Sequence, residues 1–361
     1  MPRVCLVGLI AGGVSGIPRY AAALTHALDR VAHEVPQLEL ELLTTPRGRE
    51  LVDPSRIDVS LVGRPFASAN AGLARNVAEQ LAARSARADL LHFFDLTGPV
   101  LRPRRPFTAT IHDAAPTRGF EPLRMAHKRA LQPWAARRAR ALVAVSAFAA
   151  AEAVERLRAP AERIHVIHSG PGLLPSGEPP PAADSAPYVL YVGNLAPHKN
   201  VPCLIDAFAR SGIEGRLIIA GGGGADLDRV RSAAEASPAR DRIELRLGVA
   251  DADLDRLYRG ALMLALPSRY EGFGFTALEA MGRGCPVVAS DIPALREISG
   301  DGALFVPPGD VDAWAAALRR VASEPELRSE LVRRGEAVVN GYSWETTARE
   351  VCRLFLRTLG T

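Results

Sequence analysis

The sequence predicts an α/β protein made of two doubly wound halves that face one another across a proline-rich hinge. Three observations carry this. Short apolar runs alternate with longer amphipathic stretches along almost the whole chain, the pattern of parallel strands joined by crossover helices. The alternation breaks at "PGLLPSGEPPPAADSAP" (171–187), which has too much proline and too little periodicity for helix or strand, and then restarts. A chain of 361 residues is also too long for one ordinary core and suits two.

In order, the first-half strand runs are "RVCLVGLI", "LELELLT", "DLLHFF", "FTATIH", "ALVAVS" and "IHVIHSG". Most end on a polar residue or glycine, which marks the carboxyl edge of a parallel sheet, where open α/β sheets collect their binding groups. After the hinge come "YVLYVGN", "RLIIAGGG", "IELRLG", "LMLALPS", "PVVAS" and "ALFVPPG". "YSWETTAREVCRLFLRTL" closes the chain as a helix, with Ser343 as N-cap and Val351, Leu354, Phe355 and Leu359 on its packed side. The expected boundaries are a first domain over 1–172, a linker over 173–187, a second domain over 188–340, and a terminal helix over 341–361 that packs back toward the first domain.

Composition narrows the function. With 48% hydrophobic and 23% charged residues the chain is globular, and a net charge of +4 is too small to argue for nucleic acid. Cys5, Cys203, Cys285 and Cys352 are far apart and make neither a disulfide framework nor a zinc site, which fits the cytoplasm. The N-terminal "MPRVCLVGLIAGGVSG" reads as a first buried strand, not a leader, and no stretch is long and apolar enough to span a bilayer. Arg-rich "RMAHKRALQPWAARRARA" reads as a solvated helix face, with at most weak peripheral contact to anionic lipid. Of 44 basic residues only Lys128 and Lys199 are lysine, so each of these two invites a chemical explanation.

The most informative stretch is "RYEGFGFTALEA" (269–280). A strand ends at Pro267 and Ser268 and a helix begins near Phe275, so Glu271 lies in the loop and Glu279 about a turn inside the helix. Gly272, Phe273, Gly274 and Phe275 supply N–H groups at the positive helix end, and the glycines let backbone approach a ligand. Ionised carboxylates are acceptors, suited to hydroxyls on either side. Hydroxyls at two points with phosphate between them describe a nucleotide-sugar.

This Glu-x7-Glu pair, set in "SRYEGFGFTALEAMGRGCPVVAS", resembles the donor-site signature of retaining glycosyltransferases of family 4, which have the GT-B fold of two Rossmann-like domains facing across a cleft. "YVGNLAPHKN" (191–200) is similar to that family's strand-loop element, and "IHD", "VAVS", "VIHSG", "FVPPGD" and "YSWETTA" follow in its usual order. The resemblance implies that Glu279 accepts hydrogen bonds from the donor ribose, that Glu271 holds a hydroxyl of the donor sugar, and that Gly193 and the amides from Gly272 to Phe275 line sugar and diphosphate. Lys199 would neutralise the departing diphosphate. Many relatives carry arginine after the strand glycine; Asn194 stands there instead and brings no charge, leaving Arg269 or Arg19 as a possible second cation.

On the first half, Gly12 and Gly13, with Gly16, form a turn suited to approach the donor phosphates, although glycine turns after strands are common without a ligand. Gly16, Arg19 and Tyr20 are placed on the acceptor side. The resemblance sets His112 against the donor sugar, and Asp113 is assigned to orient the acceptor hydroxyl; His92 and Asp95 read as structural. "DAD" (251–253) mimics a metal-binding Asp-x-Asp but precedes a helix, so capping by Asp251 or Asp253 explains it better. The implied reaction moves a hexosyl group from a nucleotide-sugar, GDP-mannose or a UDP-hexose foremost, to a sugar, glycolipid or small natural product. Transfer is with retention and without cofactor or metal. The alternatives are a sugar-nucleotide epimerase of the same fold and a non-catalytic nucleotide-sugar-binding protein. A glycoside hydrolase would also use two carboxylates, but needs neither the glycine-rich helix entry nor Lys199.

Overall fold

A computed structural model of the chain describes residues 1–8, 16–61, 77, 80–81, 83–84, 86–97, 103–115, 127–172 and 187–360. The chain divides into two compact units, Met1–Gly170 with Ser343–Thr361, and Pro171–Tyr342.

In the first unit the elements are β1 (Arg3–Val7), α1 (Gly16–Val31), β2 (Glu39–Thr44), α2 (Pro46–Val52), β3 (Asp58–Leu61), β4 (Leu90–Phe93), β5 (Phe107–Ile111), α3 (His127–Arg138), β6 (Ala141–Ala144), α4 (Ala147–Leu157) and β7 (Ile164–Val166). Among the described residues the strands form one parallel sheet ordered β3-β2-β1-β4-β5-β6-β7. Strands β4, β5 and β6 are buried along their whole length, as a parallel sheet covered on both faces requires. β3 is the strand that the apolar pattern misses: it lies at the sheet edge, half-exposed or exposed throughout, and so carries "DVSL" rather than a hydrophobic run.

The second unit runs β8 (Tyr188–Val192), α5 (Val201–Ser211), β9 (Arg216–Gly221), α6 (Leu227–Ala236), β10 (Ile243–Leu247), α7 (Asp251–Gly260), β11 (Met263–Leu266), α8 (Phe275–Met281), β12 (Val287–Ser290), α9 (Pro293–Ser299), β13 (Ala303–Val306), α10 (Val311–Ser323) and α11 (Pro325–Val339). Its sheet is parallel and ordered β10-β9-β8-β11-β12-β13, so the winding reverses between β8 and β11. On one side the core gathers Val189, Tyr191, Phe208, Ile219, Trp314 and Leu318, all at most 1% exposed.

The chain then returns to the first unit as α12 (Trp344–Leu359). Ser343 caps it by accepting the Thr346 amide. Thr347 Oγ1 donates to the His168 carbonyl at 2.7 Å, and Arg349 and Glu345 pair with Glu34 and Arg30 on the first unit. Val351, Leu354 and Phe355 are buried, whereas Leu359 is only half-buried. The capping expected of Asp251 or Asp253 is corrected. The N-cap of α7 is Ala250, with no side-chain cap bond, and both acids sit inside the first turn, where Asp253 accepts from Arg256 at 2.7 Å. There they still complement the positive helix end. No helix among the described residues is long and apolar enough to cross a membrane.

At the carboxyl edge of the second sheet, β8 and β9 approach too closely for side chains. Gly221 has φ +142°, and a Cβ on it would stand 2.1 Å from the Gly193 carbonyl oxygen. Gly222, next in the chain, has nothing within 4 Å of such an atom. Gly221→Ala is therefore expected to destabilise by ~2 kcal/mol or more, lowering Tm by roughly 4–8 °C. Gly222→Ala should stay within about 0.5 kcal/mol of the parent. Thermal denaturation followed by circular dichroism checks both.

Candidate active site

The second sheet reverses direction of winding between β8 and β11, and at such a switch point open α/β sheets form their binding crevice. One loop, 193–200, carries Lys199; the other, 267–274, carries Glu271. Their backbones are tied together. The Arg269 main-chain amide donates to the His198 carbonyl at 2.7 Å, and the Asn200 side chain donates through Nδ2 to the Pro267 carbonyl at 3.2 Å. Asn200 adopts φ +56°, a left-handed conformation that asparagine tolerates better than most residues, and so turns the chain from Lys199 into α5.

Across these loops Lys199 Nζ lies 2.7 Å from both Glu271 oxygens, and Ser268 Oγ donates to Oε1 at 2.7 Å. The side chains of Lys199 and Glu271 keep 18% and 12% of their surface exposed, so the pair is set into the edge of the sheet without being sealed. Burial alone would raise the Glu271 pKa; the Lys199 charge and the hydrogen bonds from Lys199 and Ser268 outweigh it and hold the carboxyl below its ordinary value. Neighbouring His198 is pushed down to about 4, by burial first and then by the Lys199 charge, and is neutral at pH 7.

Glu279 lies inside α8 and is 1% exposed. Its Oε2 accepts from the Tyr258 hydroxyl at 2.7 Å, and Oε1 lies where a Cβ on Gly172 would come within 2.1 Å. Gly274 is the N-cap of α8, at φ +104°, and a side chain there would also run into Leu295 at 2.8 Å. Phe273 is a core residue, packed on Phe275 and Tyr342, so only its backbone is suited to a ligand. With seven residues α8 is a short helix and its dipole is correspondingly weak, which leaves Lys199 as the main positive charge of the crevice. Asn194 is exposed beyond β8, its carbonyl accepting from Tyr191 at 2.8 Å. The Arg269 guanidinium reaches toward Gly309, in the turn between β13 and α10.

In the first unit His112 follows β5 at the carboxyl edge. Its Nε2 lies 2.7 Å from the Phe94 carbonyl; a carbonyl only accepts, so Nε2 carries a proton and donates it there. Asp113 Oδ1 accepts from the Ala115 amide at 3.0 Å, closing an Asx-type turn. Tyr20 is corrected from acceptor side to core. It is 0% exposed, its hydroxyl is 3.2 Å from Thr110 Oγ1, and its ring stands edge-on to His112 at 4.6 Å. Helix α1 turns its i+4 face, Tyr20 with Leu24 and Leu28, inward, and the buried hydroxyl needs the partner Thr110 supplies. Gly16 is exposed and Arg19 half-buried at the start of α1; Gly12 and Gly13 lie outside the described residues. His92 is 0% exposed between Thr108 and Thr110, its pKa pushed down to about 3 by burial and then by His112, as a structural residue.

The Lys199, Ser268 and Glu271 cluster thus gathers in one unit, and the His112, Asp113 and Tyr20 group in the other. Sequence reasoning missed Asn200, Ser268 and Tyr258. The first two adjoin residues already chosen and their turn chemistry was a usable signal; Tyr258 is 21 positions from Glu279 and left none.

Comparison with known proteins identifies the family and the fold. The family model described as "Glycosyl transferases group 1" matches residues 178–338, and "Glycosyltransferase Family 4" matches residues 14–171. The O-antigen chain mannosyltransferase B of Escherichia coli is 34% identical over 46% of this chain and 45% of its own. The chain thus spans less than half the length of that curated relative. Sucrose-phosphate synthase from Thermosynechococcus elongatus superposes with a TM-score of 0.80 at 20% identity, covering 100% of both chains. Anabaena HepE, solved in complex with UDP and glucose, gives 0.76 at 18%, covering 98% of this chain and 99% of its own. Both likenesses are of fold, that of the GT-B glycosyltransferases.

Glu271 fixes a pH test. Its folded pKa is depressed, so its contribution to stability is fully present above the ordinary carboxyl value of 4.5 and is lost as pH falls through the folded value. In Lys199→Met the burial remains and the compensating charge is gone; the Glu271 carboxyl is then expected to titrate above 4.5 instead of below it. Carboxyl-carbon NMR across pH 2–8 in ~1-unit steps reads the change directly.

Proposed function

Since this chain belongs to glycosyltransferase family 4, we propose that it transfers a hexosyl group from a nucleotide-diphospho-sugar to an acceptor hydroxyl, with retention at the anomeric carbon. The observation that carries the reading is the Lys199–Glu271 pair at the sheet's switch point, 2.7 Å apart. A diphosphate entering the crevice meets one compact ammonium, already positioned by a carboxylate that donor hydroxyls can then share. As the glycosidic bond opens, negative charge grows on the leaving diphosphate, and Lys199 stabilises it where water is scarce. Glu271, held ionised, only accepts hydrogen bonds and takes a hydroxyl of the donor sugar; Ser268 keeps its carboxylate from swinging. Glu279 is assigned to the ribose, and the backbone of Gly193, Asn194 and Gly272 to Phe275 to the sugar and diphosphate. In the first unit, His112 is assigned to the donor sugar, and Asp113, Gly16 and Arg19 to the acceptor.

In this reading the leaving diphosphate itself takes the acceptor's proton on the face it vacates, so no protein nucleophile is required. The positive charge of Lys199 does the work that a metal does elsewhere. GDP-mannose and UDP-hexoses are the favoured donors, and the acceptor is a sugar, a glycolipid or a small natural product. We place the reaction in the cytoplasm, at most in weak peripheral contact with the membrane.

A panel of nucleotide-sugars scored by thermal shift tests the donor site. A true donor at 100 times its Kd raises stability by about 2.7 kcal/mol, and failure of every donor to move the melting point would overturn the reading. With the donor in hand, Lys199→Ala is expected to lower kcat by roughly 10²–10³-fold, while the KM for donor changes less. Product analysis with and without acceptor separates transfer from epimerisation.

A further inference from the structure

Helix α7 buries a polar face against α8. Asp255, 4% exposed, accepts from Arg259 Nε one turn on and from Arg283 Nε just beyond the end of α8, both at 2.7 Å. The Arg283 side chain is 0% exposed. Its guanidinium stands 5.4 Å over the ring of Tyr258, and Nη1 donates to the main-chain carbonyl of Glu279 at 2.9 Å. Tyr258 is 0% exposed and donates its hydroxyl to Glu279 Oε2 at 2.7 Å.

Stability does not explain this arrangement. Apolar side chains of similar volume hold two helices at least as well as a buried ion pair, which must first be stripped of water. Leu254 and Leu257 on α7 and Ala277, Leu278 and Ala280 on α8 are buried in any case. What the polar face does is hold one residue at two points: Arg283 grips the backbone of Glu279, and Tyr258 grips its carboxylate. The grip has a direction. With Oε2 turned to Tyr258, Oε1 is turned to Gly172, whose lack of a Cβ leaves that oxygen its place.

Resting on the function proposed above, we propose that Tyr258 is the positioning residue for ribose recognition: its buried hydroxyl occupies one acceptor position of the Glu279 carboxylate and orients the others toward the ribose hydroxyls of the nucleotide. The two oxygens of a carboxylate offer about four such positions, so the tyrosine alone does not fill them. The site then selects nucleotides that carry those hydroxyls, and Tyr258 sets the strength of that selection without touching the ligand.

The test is isothermal titration calorimetry of the full chain with UDP and GDP and with their 2′,3′-dideoxy counterparts. The parent is expected to bind at least one ribonucleotide and to lose about tenfold or more with its dideoxy form, as for hydrogen bonds to a charged group. In Tyr258→Phe the ribonucleotide should weaken about fivefold and the dideoxy penalty shrink to within roughly threefold. Leu257→Ala, a buried change on the same helix, should lower the melting point and leave the penalty whole, which separates aim from packing. Where Tyr258→Phe does not fold, Tyr258→Met removes the same hydroxyl with a side chain that adapts to irregular gaps, and should reduce the penalty in the same direction. An undiminished penalty in folded Tyr258→Phe, or in Tyr258→Met if that alone folds, overturns the role of Tyr258 and leaves the donor site standing. A parent that binds ribo- and dideoxynucleotides equally removes Glu279 from the ribose. If neither diphosphate binds the parent, the donor-site reading itself fails and this inference falls with it.

Discussion

At the reversal of the second sheet, one ammonium and one carboxylate meet across two loops, and the local structure is arranged around their meeting. A parallel sheet directs its loops to one side at each strand, so only where the winding turns back do neighbouring loops diverge and leave room between them. Bringing Lys199 and Glu271 into that room strips both of part of their water. Beside Lys199 the Glu271 carboxyl stays below its ordinary value in spite of burial. The Arg269 amide on the His198 carbonyl and the Asn200 side chain on the Pro267 carbonyl are what tie the two loops together.

The same economy shows in the glycines. Gly193 and Gly221 come together because main chain meets main chain at the carboxyl edge, and Gly274 because the chain must enter α8 through a left-handed turn against Leu295. These positions fix where backbone amides stand at the mouth of the crevice. A fold held by such backbone demands persists at low sequence identity, as the resemblance to sucrose-phosphate synthase at 20% illustrates.

Most of the architecture was legible because parallel strands buried on both faces leave unbroken apolar runs, as in "YVLYV" and "RLIIAG". β3 was not, since its four residues are half-exposed or exposed and so leave no apolar run. At the site, Glu271, Glu279 and Lys199 were legible through spacing and through the scarcity of lysine in this chain. Tyr20 was misplaced because proximity to a glycine turn says nothing about which way a helix face points; the positions of Leu24 and Leu28 decide that. Tyr258 was invisible because its importance arises from a contact between two helices, with no local pattern to mark it. Gly12 and Gly13, outside the described residues, remain a reading of the sequence.

The first unit is discontinuous: its sheet is complete by Val166, yet α12, which starts 178 positions later at Trp344, supplies Val351, Leu354 and Phe355 to its packing. During synthesis the intervening unit emerges whole and is free to fold, while the earlier one waits with an uncovered apolar face for the last turn of the chain. A ribosome stalled or a message truncated before residue 343 would release a finished second unit joined to an unfinished, aggregation-prone first one.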